Sequence, residues 1–464
     1  MNTSTDTETQ EPVGADDHDA PYKAFSTRYR NYVLALLTLG YVFNFVDRQV
    51  MTILLEPIKA EFNASDTEMG LLSGLAFALF YAILGIPVAR LADRWSRRNV
   101  LAISMATWSA VTALCATAGS FAHLAVLRVG VGIGEAGGTP PSQALITDYF
   151  PPERRALAQG VLAAAPNLGI LVGLFGGALL AEALGWRMVF LVFGIPGVLL
   201  ALLLFFTVKE PARQPRSGVG DESLLVAIKG ITRLPGFLWI ASGVGFAGIA
   251  GYGLGIWSPS FLVRVHGMSL VDAGLWLGLI GVLGGTLGAV TGGLLVDRLA
   301  PKDPRWQLRV PVIGLLIALP TQLAFVLWPE THRIGGPEGL PFALVFMGIA
   351  AIFASFWIAP SYAAIQNLVP AHWRTQASAL MLLAINLLGL GLGPLVVGML
   401  SDYFAHTGVH SIRWALVVVL STCIFGAWCY WRGSGPYAGA VSRECDVCHL
   451  PPLNRDIMRE HYID

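Results

Sequence analysis

Charge is what this chain has little of. Only 13% of its 464 residues are Asp, Glu, Lys or Arg, against about 25% in soluble globular domains. The 30 basic and 30 acidic residues cancel to a formal net charge of zero, so no nucleic acid or acidic partner is indicated. Cysteine is scarce, at five; Cys115, Cys423 and Cys429 fall in apolar runs and read as buried thiols. No nucleotide-binding loop, nucleophile constellation or cluster of His ligands is present, which argues against an ATP-driven pump and against an enzyme. No cofactor and no metal are expected. A charged segment followed by a short apolar core and a small-residue cleavage site is also missing, so no cleavable signal peptide is expected.

What the chain has instead is apolar length. Hydrophobic residues make up 55% of it, mean hydropathy is +0.62, and its 52 Gly and 27 Pro lie mostly inside the apolar segments, where membrane helices tolerate them. A bilayer-spanning helix needs about 20 such residues. Runs of that length fall near 32–55, 67–91, 98–119, 122–148, 156–182 and 186–208, and again near 236–263, 271–297, 309–329, 340–368, 374–402 and 411–432. The expected fold is an all-α membrane protein with twelve spanning helices in two bundles of six (31–208 and 236–432). A linker at 209–235 joins them. Residues 1–30 are expected to be a disordered segment, since 1–20 hold six acids and no Lys or Arg. Residues 433–464 read as a polar tail.

The basic residues orient the bundle. With both termini cytoplasmic, 23 of the 30 Lys and Arg fall in cytoplasmic connections and five outside (Lys59, Arg187, Arg264, Arg333 and Arg413). That bias is the positive-inside pattern. In the tail, Cys445-Asp446-Val447-Cys448-His449 matches the c-type haem attachment spacing. That chemistry belongs outside the cytoplasm, whereas this tail reads as inside.

The remaining two, Arg48 and Arg128, fall inside helices. Arg48 adjoins Asp47 in the otherwise apolar run YVLALLTLGYVFNFVDRQVMTILL. A charge at the bilayer centre costs about 2.5–3.5 kcal/mol on insertion scales, so such a pair points to a polar site within the bundle. In the fourth run, Arg128 and Glu135 are seven residues apart, on one helix face and about 10 Å apart along the axis. A carboxyl balanced between burial and a nearby Arg can take up and release a proton. Glu135 and Asp47 are therefore the expected proton-coupling groups. Arg48 and Arg128, with Asn44 and Tyr41 on the first helix, are the expected contacts to an anionic headgroup. Ion pairs that only hold the first and fourth helices together are the bland alternative, although buried pairs are weak evidence for stability.

An internal repeat links the halves. ARLADRWSRRNV follows the second run and GGLLVDRLAPKD follows the eighth, placing Asp93-Arg94 and Asp297-Arg298 at matched positions. With Arg97 and Arg98 these residues suit a latch between neighbouring helices. Twelve helices with twin D-R loops resemble the major facilitator superfamily, and the first loop departs from its signature only at Ala89 and Ser96. The resemblance implies alternating access, two bundles rocking about a site near the midplane. Its antiporter signature in the fifth helix is only partly present in APNLGILVGLFGG.

Two stretches narrow the resemblance. YVFNFVDRQV and RVGVGIGEAGGTPPSQALITDYFPPERRALAQG are similar to the spinster family, whose animal members carry sphingosine-1-phosphate or lysophospholipids. That resemblance implies a bacterial inner-membrane carrier, with Asp47, Arg48, Arg128 and Glu135 in its central cavity. The seventh and tenth helices have no central charge and offer Tyr252, Trp257, Phe356, Trp357, Tyr362 and Gln366 instead. Such an apolar and aromatic wall suits the tail of an amphiphile, unless these residues are ordinary packing or an interfacial belt. The expected function is proton-coupled secondary transport of a lipid-like amphiphile by a monomer, with protons and membrane lipids as its other partners. A passive lipid uniporter and a proton-coupled carrier of drugs or small organic anions are the alternatives.

Overall fold

The computed structural model describes residues 21–211, 224–370 and 373–448. The N half comprises α1 (Thr27–Ile53), α2 (Leu55–Phe62), α3 (Asp66–Gly70), α4 (Ala76–Arg94), α5 (Arg97–Cys115), α6 (Phe121–Glu135), α7 (Thr139–Tyr149), α8 (Pro152–Leu171), α9 (Gly177–Leu184) and α10 (Trp186–Thr207). An amphipathic connector, α11 (Leu224–Arg233), leads to the C half. That half comprises α12 (Phe237–His266), α13 (Leu270–Leu299), α14 (Trp306–Leu327), α15 (Ala343–Ala354), α16 (Ile358–Leu368), α17 (Arg374–Ala384), α18 (Gly393–Tyr403), α19 (Ser411–Leu420) and α20 (Thr422–Cys448). The strands among the described residues are β1 (Arg333–Ile334) and β2 (Leu340–Pro341), an antiparallel ribbon in the connection before α15.

Local chemistry starts most of the long helices. Ser26, Ser96, Ser120 and Ser269 each accept a hydrogen bond from a backbone N–H of the first turn of α1, α5, α6 and α13. Ser65 and Glu68 form a reciprocal capping box on α3. Three helices that read as continuous in the sequence contain a π-helical turn: Leu71–Leu75 joins α3 to α4, Val172–Gly176 joins α8 to α9, and Ile385–Leu392 joins α17 to α18.

Among the described residues, ten helical segments are long and apolar enough to cross a membrane. The other two expected runs fall short for different reasons. α5 begins with Arg97, Arg98 and Asn99. The run 122–148 is broken after Glu135, where Gly137 and Gly138 precede Pro140 and Pro141. A proline removes a backbone donor and blocks the preceding turn, so α6 ends at Glu135 and α7 restarts at Thr139. The far end also differs from expectation: α20 runs on through the assumed boundary at residue 432 to Cys448. Tyr437 there is buried, against Gly236 at the start of α12. The side chains of the CxxCH stretch, and the acidic segment 1–20, lie outside the described residues.

The halves meet most closely at the end away from the described termini, here termed the distal end. A Cβ added at Gly74 would lie 2.8 Å from the carbonyl oxygens of Gly391 and Leu390, and one at Gly398 would lie 2.2 Å from that of Asp66. On the other flank, a Cβ at Gly274 of α13 would lie 2.6 Å from the carbonyl oxygen of Leu174. Absent side chains let these backbones touch. Ions complete the seal. Arg264, near the end of α12, donates to both carboxylate oxygens of Asp66 at 2.7 and 2.8 Å, and to Glu56 at 2.9 Å. Lys59 reaches Asp66 at 2.5 Å, and the Ser401 hydroxyl donates to it at 2.6 Å. Among the described residues, the ion pairs that join the two halves are those of Arg264, all at this end.

Candidate functional site

The charged residues singled out by the sequence converge in the N half. Arg48 of α1 donates from Nε to Glu135 Oε2 of α6 at 2.8 Å. The Glu135 side chain is fully buried, whereas that of Arg48 keeps 18% exposure, so the guanidinium is the member of the pair that reaches accessible space. Asp47, buried beside it, points the other way, and Thr112 Oγ1 of α5 donates to its Oδ2 at 3.2 Å. Arg128 is also buried. Asn44 adjoins the Glu135 carboxyl, and the Tyr41 hydroxyl lies 3.5 Å from Thr139 Oγ1 at the start of α7.

This cluster is incompletely paired. Asp47 Oδ1, Glu135 Oε1, and Arg128 Nε and Nη1 are buried without a hydrogen-bond partner. Each such atom costs about 1–3 kcal/mol, and a structure retains them where they have work to do. At an effective dielectric constant of about 20, the 2.8 Å contact of Arg48 with Glu135 gives about 6 kcal/mol of attraction. Desolvating each ion costs several kcal/mol. Attraction and desolvation are therefore of the same order.

Aromatic rings surround this largely buried cation. The Arg48 guanidinium carbon lies 5.3 Å from the Phe45 ring centroid, 4.9 Å from that of Phe77 and 4.8 Å from that of Tyr81. Phe77 and Tyr81, on α4, were invisible as site residues in the sequence because aromatic residues are common in apolar runs. Their only signal was an i, i+4 spacing on a helix next to the charged ones.

The C half contributes fewer groups than its sequence promised. Tyr252 of α12 and Tyr362 of α16 lie near Tyr41 and Tyr81 of the N half, and Tyr252 also near Arg48. Gln366 is exposed at the end of α16. Three other expected contacts are packed within the C half in this structure. Trp257 is fully buried, and its indole N–H donates to the Pro394 carbonyl at 2.9 Å. Phe356 fills space left by Gly292 and Gly314. Trp357 is buried in the core of the half.

The two D-R loops behave unequally. Arg97 pairs with Asp148, and Glu210 accepts from the Ser96 hydroxyl and from the backbone N–H groups of Arg97 and Arg98. Arg98 donates to Asn99 Oδ1 and to the Val208 carbonyl, while Arg94 is exposed. The side chain of Asp93 lies outside the described set. All these contacts stay within the N half. Asp297 and Arg298 are both exposed and, among the described residues, form no ion pair.

Two pseudo-repeated helical halves around a charged cleft match a known architecture over most of the chain. The Major Facilitator Superfamily model covers residues 37–390. The chain belongs to the Major Facilitator Superfamily. As a member it is an integral membrane transporter and not an enzyme. An MFS-type efflux pump of Mycolicibacterium smegmatis is 36% identical over 431 residues, covering 92% of this chain and 96% of that protein. Protein spinster homolog 1 of Xenopus tropicalis is 25% identical over 445 residues, covering 90% and 83%. Among solved structures, a bacterial homolog of the human lysosomal transporter Spinster, inward-facing and unoccupied, superposes with a TM-score of 0.79 at 31% identity. The match covers 90% of this chain and 99% of that one. The spinster resemblance thus appears in both sequence and fold.

Proposed function

We propose that this superfamily member is a proton-coupled secondary transporter of an anionic, lipid-like amphiphile, working by alternating access. The observation that carries the reading is the ion pair of Arg48 and Glu135, set beside buried polar atoms without partners. Glu135, with Asp47, is the proton site in this reading. Arg48, beside Arg128, Asn44 and Tyr41, receives the headgroup when Glu135 is protonated. Tyr252, Tyr362 and Gln366 face the rest of the substrate from the C half. Twelve spans are proposed, with α5 and the broken α6–α7 pair counted as the third and fourth. Both termini are placed in the cytoplasm, which makes the sealed distal end the outer one and the described state inward-facing. The chain is taken to act as a monomer in the plasma membrane of a bacterium. In that orientation the D-R loops, through Asp93, Arg94, Arg97, Arg98, Asp297 and Arg298, form the inner latch, and the contacts among its described residues lie in the N half.

The efflux-pump relative, together with a probable sulfoacetate transporter of Cupriavidus necator that is 28% identical over 312 residues, favours a second reading. In it the same cleft exports drugs or small organic anions. Uptake into proteoliposomes separates the two: lysophospholipids and sphingoid phosphates are compared with amphipathic drugs and sulfonates, with and without a pH gradient. Glu135→Gln and Arg48→Ala are each expected to abolish gradient-driven movement while leaving folded protein in the membrane. Undiminished gradient-driven transport by both variants would remove the proton-site assignment.

A further inference from the structure

Phe77 sits where the charge cluster meets the helix that crosses to the other half. Its ring centroid lies 4.9 Å from the Arg48 guanidinium carbon and 5.7 Å from that of Arg128. The ring is 1% exposed, so one aromatic group serves two cations away from water. Two guanidiniums in a weakly polarisable setting repel each other. A ring whose faces carry negative potential lowers the energy of both, and does so most where water is excluded. One turn further along α4, Tyr81 stacks on Phe77 at 5.6 Å and lies 4.8 Å from Arg48.

The same residue is a mechanical junction. A Cβ added at Gly132 of α6 would lie 2.7 Å from the Phe77 carbonyl oxygen. The helix that carries Arg128 and Glu135 therefore touches α4 at Phe77 itself. Three residues earlier, Gly74 abuts the backbone of Leu390 and Gly391 in the other half. The π-helical turn Leu71–Leu75, which contains Gly74, links the ring to the ion cluster at Asp66.

We infer that Phe77 is a positioning residue that fixes the spacing of the Arg48 and Arg128 guanidiniums and ties the ionic state of their cluster to closure between the halves. The inference rests on the proposed proton site at Glu135. Once Glu135 is protonated, Arg48 loses its carboxylate, and the rings of Phe45, Phe77 and Tyr81 are its remaining close partners. Displacement of the guanidinium is then felt by α4, and one turn away by the seal. The titratable and charged groups around this point are Asp47, Arg48 and Tyr41 on α1, Tyr81 on α4, Cys115 on α5, Arg128 and Glu135 on α6, Tyr252 on α12 and Tyr362 on α16.

The test reads closure directly. Ser73 is buried in the seal, and its hydroxyl bonds only within its own helix. Ser73→Cys, labelled from the distal side with a membrane-impermeant thiol reagent, reports opening there. Rates are normalised at each pH to those of an exposed cysteine on the same side, Val409→Cys, because the thiolate is the reacting form and every thiol labels more slowly in acid. The normalised rate in the protein with Phe77 intact is expected to change about tenfold between neutral and acidic pH. With Phe77→Leu, or with pentafluorophenylalanine at position 77, that change is expected to vanish, while Phe77→Tyr restores most of it. Pentafluorophenylalanine keeps the shape of the ring and removes its attraction for cations, so a purely structural role would leave the pH response intact. An intact response with pentafluorophenylalanine would overturn the inference, even if Phe77→Leu fails to fold. Labelling indifferent to pH before any change at position 77 would overturn both the proton-site reading and this inference. That outcome is distinct from a response that survives the loss of the ring.

Discussion

Asp402, at the end of α18 in the C half, caps a helix of the N half. Its Oδ1 accepts the backbone N–H of Asp66 at 3.0 Å, and its Oδ2 accepts the N–H and the hydroxyl of Thr67 at 2.8 and 2.6 Å. The first turn of α3 thus takes an anion from across the interface, at the positive end of its dipole. Ser65 and Glu68 cap the same helix from within its own half, so α3 keeps its start when the halves part, but loses the second cap.

Removing that second cap is expected to favour the state open at the distal end. A capping side chain is worth about 0.5–2 kcal/mol, so Asp402→Ala should raise distal accessibility by about 2- to 30-fold. Asp402→Asn, which keeps a single acceptor, should fall between. Thiol labelling of a buried seal position measures the shift. Equal labelling of Asp402→Ala and the unaltered protein would refute the capping role.

The glycine contacts predict a size limit rather than a charge effect. Gly74→Val puts a branched side chain against the carbonyl oxygens of Gly391 and Leu390, 2.8 Å from its Cβ. The distal end then cannot close, and transport is expected to be lost with the protein still inserted. Gly251→Ala is the control, since nothing lies within 4 Å of the added atom. Its activity should stay within about twofold of the parent, with stability unchanged or slightly raised.

Trp257 offers a check on the burial of the C-half aromatics. Trp257→Phe removes the N–H that meets the Pro394 carbonyl and part of a fully buried ring. A loss of about 1–3 kcal/mol in stability is expected, seen as a lower thermal midpoint in detergent. Apparent substrate affinity should not change. A large rise in KM without a drop in midpoint would return Trp257 to the binding wall.

The unequal loops give a paired prediction. Glu210→Ala removes the acceptor for Ser96 and for two N–H groups of α5, and is expected to cost about 1 kcal/mol of stability. Asp297→Ala, at an exposed position without an ion pair among the described residues, should be neutral for the stability of the state described. Similar losses in both variants would show that the second loop is engaged in solution.

The sequence exposed the buried charges because ions inside long apolar runs are costly and therefore conspicuous. Asp47, Arg48, Arg128 and Glu135 stood out for that reason, and the Arg48–Glu135 contact joins two of them. Phe77 and Tyr81 stayed hidden because an aromatic residue costs nothing in such a run. Asp66, Glu56 and Asp402 sit at helix ends, where charges are ordinary, and only the fold reveals that they converge on Arg264 and α3. The repeat that marked Asp297-Arg298 reported descent and topology, whereas engagement of a loop depends on the conformational state. The break after Glu135 was legible in Gly137, Gly138, Pro140 and Pro141, yet the apolar count around it masked it.

The π-helical turns at Leu71–Leu75, Val172–Gly176 and Ile385–Leu392 interrupt three helices that line the meeting of the halves. The opposing helix α13 runs 30 residues as uninterrupted α-helix. A wider turn offers a place to flex, and three of the four counterpart helices have one where α13 has none. In the proposed alternating access the bending is then shared unevenly, concentrated in the three walls that carry a joint.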